Sequence, residues 1–288
     1  MVLRLPQTPL LSDVRTALRS ALTEKYGERE ASAMARIILT KLKNWDFTTL
    51  LANETREASE YIVNRCDEIL KQLLSDVPIQ YALGETTFYG LSLAVRPGVL
   101  IPRPETEELV DIIVKENQIP DLRVLDICTG SGAIALALAR NLPFSKIDAL
   151  DISEDAVAIA NENAKRLKTD IEIVQGDVFD YIFPDNEYDV IVSNPPYVDE
   201  SEKVQMERNV VDYEPAIALF VPDENPLVFY KRIAEIGRTA LKDGGKLYLE
   251  INPRHSAELK ALLERSGYRD IELLRDVHGK CRFAEARL

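Results

Sequence analysis

Apolar residues recur with a helical period from about residue 12 to residue 75, and no strand-like alternation interrupts them. A first helix is predicted for SDVRTALRSALTEKYG, with Ser12 as its N-cap and Gly27 at its end. Two further amphipathic helices are predicted for EREASAMARIILTKLKN and NETREASEYIVNRCDEILKQLLS. The pattern therefore predicts a small helical bundle over residues 1–76. Its charged residues are explained either by contact with solvent or by a partner-binding surface.

The pattern changes in PIQYALGETTFYGLSLAVRPG, where a short β-prone run lies on each side of Gly90. We predict a β-hairpin here, with Pro97 and Gly98 as its stop, that links two domains over residues 77–100. The next segment, IPRPETEELVDIIVKEN, predicts a helix with Pro104 near its first turn. Glutamates follow Pro104 closely, where the positive end of the helix dipole favours anions.

Strands and helices alternate from about residue 123 to the end of the chain, within a predicted domain of residues 101–288. The strands are predicted for RVLDIC, KIDALDI, IEIVQGD, YDVIVSN, GKLYLEI, and the two arms of DIELLRDVHGKCRFAEARL. The helices are predicted for GSGAIALALARNL, SEDAVAIANENAKRL, NPLVFYKRIAEIGRTALKDGG and HSAELKALLERSG. This alternation predicts an α/β fold, with a mostly parallel sheet covered by helices on both faces and an antiparallel last strand.

Composition narrows the class of protein. The formal net charge of -13 disfavours nucleic acid as a partner, because phosphate binding needs clustered Lys and Arg. The three cysteines and two histidines have no metal-ligand spacing, so we expect a reduced, cytoplasmic protein without a metal. Pro6 and Pro9 interrupt any apolar core of an export signal, and no run approaches a membrane span. We also expect a monomer.

A candidate cofactor site follows the first strand of this domain, where Gly130 and Gly132 lie at the turn into a helix. The next strand ends at Asp151, about 20 residues further on, where an acid can bind ribose hydroxyls. With Ala135, the two glycines also fit a dinucleotide fingerprint, so these residues predict a nucleoside-containing cofactor without identifying it. Asp177, after the third strand, either binds an adenine amino group, with Val178 lining the base pocket, or caps a turn.

The segment SNPPY follows the fourth strand, which should pair with the first and open on the same crevice. Asn194 and the main-chain carbonyl of Pro195 offer two acceptors for the hydrogens of a planar NH2 group. Tyr197 would pack its ring against that group. Because the segment contains no His or Lys to serve a hydride transfer, it favours methyl transfer to an amide or aromatic amine.

These residues carry a resemblance to known families. DICTGSGAIALALA with Asp151 resembles the S-adenosylmethionine-dependent methyltransferases, whose fold is a seven-stranded, doubly wound, Rossmann-like sheet. NPPY resembles the motif of adenine and glutamine amino-methyltransferases. GVLIPRPETEELV, together with PIQYALGETTFYG and NPPYV, is more specific and resembles the peptide chain release factor glutamine N5-methyltransferases.

The second resemblance implies a function and a set of site residues. It implies that a methyl group passes from S-adenosylmethionine to the glutamine of the Gly-Gly-Gln motif in class 1 release factors, which modulates translation termination. We further hypothesise that the helical residues 1–76 dock the protein substrate. The implied cofactor residues are Cys128, Thr129, Gly130, Ser131, Gly132, Asp151, Val178 and Asn194, to which our own reasoning adds Asp177. The implied glutamine-binding residues are Asn194, Pro195, Pro196 and Tyr197, and we expect Asn194, Pro195 and Tyr197 to be catalytic.

The sequence departs from this family at Cys128, where a glycine is usual, and at Val178, where an aromatic residue is frequent. Residues 98–110 form either a lid over the cofactor or a proline-stiffened helix entry. A glutamine of a ribosomal protein is the alternative substrate, and adenine in DNA or RNA is a further one. A binding module that keeps only the fold is the non-enzymatic alternative.

Overall fold

The structure is a computed structural model, and it describes residues 3–288. The chain forms two compact units. One contains the chain up to Gly84 together with Arg208–Tyr213, and the other contains Glu85–Glu207 and Glu214–Leu288. The hairpin that we predicted as a linker lies in the larger unit. The docking role of residues 1–76 stays a prediction.

The smaller unit is helical. Its N-terminal helices are α1 (Leu11–Lys43), α2 (Phe47–Ala52), α3 (Glu60–Leu74) and α4 (Ile79–Leu83). The predicted break at Gly27 is present, because this residue has φ 77° and ψ 161° inside α1. The predicted start of α3 at Asn53 is wrong: Ser59 caps the helix by accepting from the main-chain N–H of Ile62 at 3.4 Å.

Apolar side chains of α1 and α3 form the core of this unit. Val14, Leu18 and Leu22 are spaced four residues apart on α1 and are fully buried, as are Cys66 and Leu70, which are four residues apart on α3. This spacing places the side chains on one face of each helix, so burial of that face stabilises the bundle.

The larger unit begins with the predicted hairpin, β1 (Glu85–Phe88) and β2 (Leu91–Ala94), which turns at Tyr89 and Gly90. Its main sheet has seven strands in the order β10-β11-β9-β6-β3-β4-β5. Their bounds are β3 (Arg123–Ile127), β4 (Lys146–Asp151), β5 (Glu172–Gln175), β6 (Tyr188–Ser193), β9 (Leu241–Glu250), β10 (Arg269–Arg275) and β11 (Cys281–Arg287). A separate parallel pair contains β7 (Val198–Asp199) and β8 (Phe220–Val221). The last strand, β11, is antiparallel to both of its neighbours.

Helices cover both faces of the main sheet. They are α5 (Pro104–Glu116), α6 (Ala133–Asn141), α7 (Glu154–Leu167), α9 (Val228–Ala240) and α10 (Ser256–Arg265), while α8 (Arg208–Tyr213) groups with the smaller unit. Successive residues of a strand point to opposite faces, so Val124 packs with α5 and α6 whereas Leu125 packs with α9 and α10. The predicted α/β fold with a seven-stranded sheet, an antiparallel last strand and an N-terminal helical bundle is confirmed.

Two parts of the larger unit differ from the prediction. Helix α9 ends at Ala240 and not at Gly245, because Leu241 is already extended and pairs with Tyr188. The segment from β7 to β8 contains short helical turns at Glu200–Gln205 and Ala216–Ala218 that the sequence pattern did not indicate. Within residues 3–288, no helix is both long and apolar enough to cross a membrane.

Candidate active site

The glycine loop follows β3 at the carboxyl edge of the sheet. Cys128, Gly130 and Gly132 have φ values of 63°, 56° and 79°, so all three adopt the left-handed conformation that favours glycine. A Cβ at Gly132 would lie 3.2 Å from the Cβ of Ala160, so this position also permits close packing of α6 on α7. Nothing lies within 4 Å of a Cβ built at Gly130, which leaves the main chain there open to a ligand.

Asp151, the last residue of β4, holds the loop in place. Its Oδ2 accepts from the main-chain N–H of Gly130 at 2.8 Å, and its Oδ1 accepts from that of Ser153 at 2.9 Å. Burial raises the pKa of Asp151, and these main-chain donors oppose the rise. Since a carboxylate has about four acceptor positions, Asp151 retains capacity for the hydroxyl groups of a ribose.

A cavity of about 1100 Å³, including its open mouth, lies above the glycine loop. The predicted residues that line it are Cys128, Thr129, Gly130, Ser131, Asp151, Asp177, Val178, Asn194 and Pro196. Gly132, Pro195 and Tyr197 do not line it. The structure thus brings most of the predicted cofactor residues together with Asn194.

Asp177 belongs both to a turn and to the cavity wall. Its Oδ1 accepts from the main-chain N–H of Phe179 at 2.9 Å, as a turn residue does. The sequence reasoning missed Phe179 and Phe229, which also line the cavity and contact each other with ring centroids 5.3 Å apart. These rings provide the aromatic surface that Val178 lacks. Phe179 directly follows Val178, whose position is frequently aromatic in the family that the sequence resembles. An aromatic residue next to that position was the signal that could have identified Phe179.

Residues 98–103 form one wall of the cavity and are held by a buried glutamate. Glu214 accepts from the main-chain N–H of Ile101 at 3.0 Å and from the Arg103 guanidinium at 2.7 Å. Its side chain is 1% exposed. Helix α5 then begins at Pro104, so these residues serve as a helix entry and also line the cavity. Their role as a lid stays a prediction.

Asn194 is joined to a buried carboxylate through Thr106. The Nδ2 of Asn194 donates to Thr106 Oγ1 at 3.4 Å, and this hydroxyl donates to Glu250 Oε2 at 2.7 Å. The hydroxyl of Tyr197 donates to Glu250 Oε1 at 2.9 Å. Asn194 and Tyr197 of the NPPY segment therefore share one carboxylate.

Glu250 was missed by the sequence reasoning, although its position gave a signal. It is the last residue of β9 and is 1% exposed. It thus lies at the carboxyl edge of the sheet, the same criterion by which Asp151 was predicted as a site residue. Burial raises the pKa of Glu250, whereas the hydroxyls of Thr106 and Tyr197 and the charge of Arg282 oppose the rise.

The residues present fit S-adenosylmethionine. The open main chain at Gly130 accommodates close approach, Asp151 can accept from ribose hydroxyls, and Phe179 with Phe229 can contact an adenine face. Among residues 3–288, no group of three or more His, Cys, Asp or Glu side chains is arranged to hold a metal ion.

Comparisons with known proteins agree with this geometry. Residues 105–213 match the model of the methyltransferase small domain, and residues 13–84 match that of the PrmC N-terminal domain. A methyltransferase from Pyrococcus furiosus superposes with a TM-score of 0.52 and 20% identity over 75% of this chain and 95% of its own. That likeness shows the fold alone.

Curated relatives carry more information. The release factor glutamine methyltransferase of Bacteroides thetaiotaomicron is 45% identical over 96% of this chain and 99% of its own length. That of Flavobacterium psychrophilum is 39% identical over 95% and 97%, respectively. The fold and the site define an S-adenosylmethionine-dependent methyltransferase. Within that class, the chain belongs to the release factor glutamine methyltransferase family.

Proposed function

We propose that this enzyme transfers the methyl group of S-adenosylmethionine to the side-chain amide nitrogen (N5) of a glutamine, the one in the Gly-Gly-Gln motif of class 1 release factors. The observation that carries the proposal is the position of Asn194, which lines the same cavity as the glycine loop and Asp151. The choice of release factors as acceptor rests on the names of relatives that are similar to this chain over nearly its whole length.

The chain contributes binding and orientation to this reaction. When bound, S-adenosylmethionine supplies an electrophilic methyl group on a sulfonium. We expect Asn194 Oδ1 and the main-chain carbonyl of Pro195 to accept the two amide hydrogens, and Pro196 and Tyr197 to bound the space for the glutamine. Of these four residues, Asn194 and Pro196 line the cavity. Holding both hydrogens increases the availability of a lone pair that is otherwise delocalised, and alignment with the methyl carbon supplies proximity.

The remaining predicted residues hold the cofactor. Residues 128–132 approach its amino acid portion, Asp151 binds the ribose, and Asp177 with Val178 binds the adenine. The alkylated amide is strongly acidic, so its proton passes to solvent without a histidine. This accounts for an active site in a chain that has only two histidines.

The acceptor is tested by a radiolabelled methyl-transfer assay that offers release factors, ribosomal proteins and DNA side by side. We expect label in the release factors and none when the glutamine of Gly-Gly-Gln is replaced by asparagine. Label in ribosomal proteins or in DNA instead, with none in release factors, would overturn the proposal.

We also propose that the smaller, helical unit docks the release factor, so that the glutamine loop is the only part of the substrate that enters the cavity. The match of residues 13–84 to the PrmC N-terminal domain supports a role shared with the family. Because release factors act on cytoplasmic ribosomes, the enzyme would act in the cytoplasm.

A further inference from the structure

Glu250 receives hydrogen bonds from two different parts of the larger unit. Tyr197, from the NPPY segment, donates to Oε1, and Thr106, from the first turn of α5, donates to Oε2. Burial and the neighbouring carboxylate raise the pKa of Tyr197, so its hydroxyl keeps its proton and remains a donor. With a hydroxyl donor on each oxygen, the acceptor-only ionised form of Glu250 is the one that suits its partners.

The direction of each hydrogen bond follows from this carboxylate. An ionised carboxylate only accepts, so Thr106 must use its single hydroxyl hydrogen on Glu250. The oxygen of Thr106 is then an acceptor toward Asn194, which must present its NH2 group, and the distance of 3.4 Å joins those two atoms. The remaining polar atom of the Asn194 amide, Oδ1, is left for the cavity.

This direction matters because the two ends of an asparagine amide have nearly the same size and shape. Packing around Asn194 therefore does not select which end faces the cavity, and only hydrogen-bond polarity does. Rotating the amide by 180° would turn Oδ1 toward the Thr106 oxygen, whose only hydrogen is already donated to Glu250, and would point the Asn194 NH2 group at the NH2 of a glutamine substrate. Two donors facing each other cannot bond, so the reversed amide would not hold the acceptor nitrogen.

We infer that Glu250 is a positioning residue which, through the Thr106 hydroxyl, fixes the Asn194 amide with Oδ1 toward the substrate, an inference that rests on the proposed function of Asn194. Thr106 is the relay and also lines the cavity, whereas Glu250 does not line it. The same carboxylate holds the hydroxyl of Tyr197, so one buried charge sets both ends of the NPPY segment.

A double-mutant cycle on the full-length chain tests the relay. Thr106→Val removes the hydroxyl at constant volume, and Glu250→Gln introduces an NH2 group that can donate to Thr106 and reverse the polarity. We expect each to lower kcat about 10- to 100-fold, as loss of an oriented polar contact does. We expect KM for the protein substrate and Kd for S-adenosylmethionine to change less than about threefold, and Thr106→Ser to restore most of kcat.

The decisive comparison uses Asn194→Ala as the background. If the relay acts through Asn194, adding Thr106→Val or Glu250→Gln to Asn194→Ala lowers kcat no further. An additional loss as large as in the wild-type background, or wild-type kcat in both single variants, would overturn the inference. Thermal melting identifies any variant that is unfolded, in which case the cycle is completed with whichever of Thr106→Val and Glu250→Gln still folds.

Glu116→Gln is the matched control. Glu116 also accepts from a tyrosine hydroxyl, that of Tyr248, at 2.7 Å, but it does not line the cavity. Its replacement should leave kcat unchanged. The cycle is measured on whichever acceptor the wild-type enzyme methylates. If that acceptor is not a release factor, the proposed function is overturned, but the cycle still tests whether Glu250 acts through Thr106 and Asn194.

Discussion

The hydroxyl of Ser193 donates to the main-chain carbonyl of Ile127 at 2.6 Å. Ser193 ends β6 immediately before Asn194, and Ile127 ends β3 immediately before the glycine loop. Both residues are completely buried. One hydrogen bond therefore joins the strand that precedes the proposed substrate residues to the strand that precedes the proposed cofactor residues.

Replacement of Ser193 by alanine should destabilise the protein and reduce turnover. The buried carbonyl of Ile127 loses a partner, which costs about 1–3 kcal/mol of unfolding free energy. Urea unfolding and methyl transfer measure the two effects. Ser145→Ala is the matched control, since Ser145 donates to the Leu142 carbonyl before β4 and does not line the cavity; an equal loss of turnover in both variants would contradict a role for Ser193 in joining the site.

Asn194→Ala should retain S-adenosylmethionine binding and lose most of its turnover. Removal of one oriented acceptor costs about 10²- to 10³-fold in kcat. Calorimetry gives the Kd, and single-turnover transfer of labelled methyl gives the rate. Asn141→Ala, which removes a bond from an asparagine amide to the Ala137 carbonyl on α6, should keep the wild-type rate. Unchanged turnover in Asn194→Ala would refute its proposed role.

Cys128→Gly should be tolerated, whereas Cys128→Val should not. The φ of 63° at this position costs a residue with a side chain roughly 1–2 kcal/mol, and a β-branched residue suffers most. We expect the glycine variant to keep the wild-type Kd for S-adenosylmethionine and the wild-type melting temperature. We expect the valine variant to have a higher Kd and a lower melting temperature. The reverse order would mean that the Cys128 thiol is itself required.

Asp126 should make the stability depend on pH. Burial raises the pKa of this carboxyl to about 7, against the opposing hydrogen bonds from Thr129 and Ala135. Between about pH 4 and pH 7 the folded protein keeps a proton on Asp126 that the unfolded chain has released. The contribution of this proton to the unfolding free energy is therefore fully present below about pH 4 and is lost as pH rises toward 7.

Asp126→Asn removes this titration. From pH 5 to pH 8, the unfolding free energy of the wild type should fall by about 2–3 kcal/mol relative to the variant. Urea denaturation at the two pH values measures the difference. A difference that stays constant with pH would show that Asp126 has the same pKa in both states.

Exposed aromatic residues of the smaller unit should contribute to binding of the whole protein substrate and not to binding of a short peptide. Tyr61 is 66% exposed and Phe47 is 38% exposed, and exposed aromatic side chains frequently dominate protein interfaces. Replacing both by alanine should raise KM for a whole release factor about tenfold and leave KM for a short glutamine peptide unchanged. Phe144→Ala, which removes an 83% exposed ring from the other unit, is the control. An equal change in KM for the two substrates would exclude docking through Tyr61 and Phe47.

Much of the fold was predictable because it depends on local periodicity. The period of apolar residues located α1, α3 and the strands from β3 to β6, and the positive φ required at Gly130 and Gly132 explains why those glycines marked the loop. Segments without an apolar period, such as the turn at Glu200–Gln205, were not predicted, because distant residues help to hold them, as Asn252 does when its Nδ2 donates to Glu202.

The sequence alone determined the α/β class, the glycine loop with Asp151, and the place of Asn194 after a strand, since each follows from residues that are adjacent in the chain. Only the tertiary structure decided the partners of Asn194. Thr106 and Glu250 lie 144 positions apart, yet they meet at 2.7 Å because α5 packs beside the end of β9. A hydrogen bond between such distant residues leaves no periodic trace in the sequence, because its geometry exists only after the sheet and its helices have assembled.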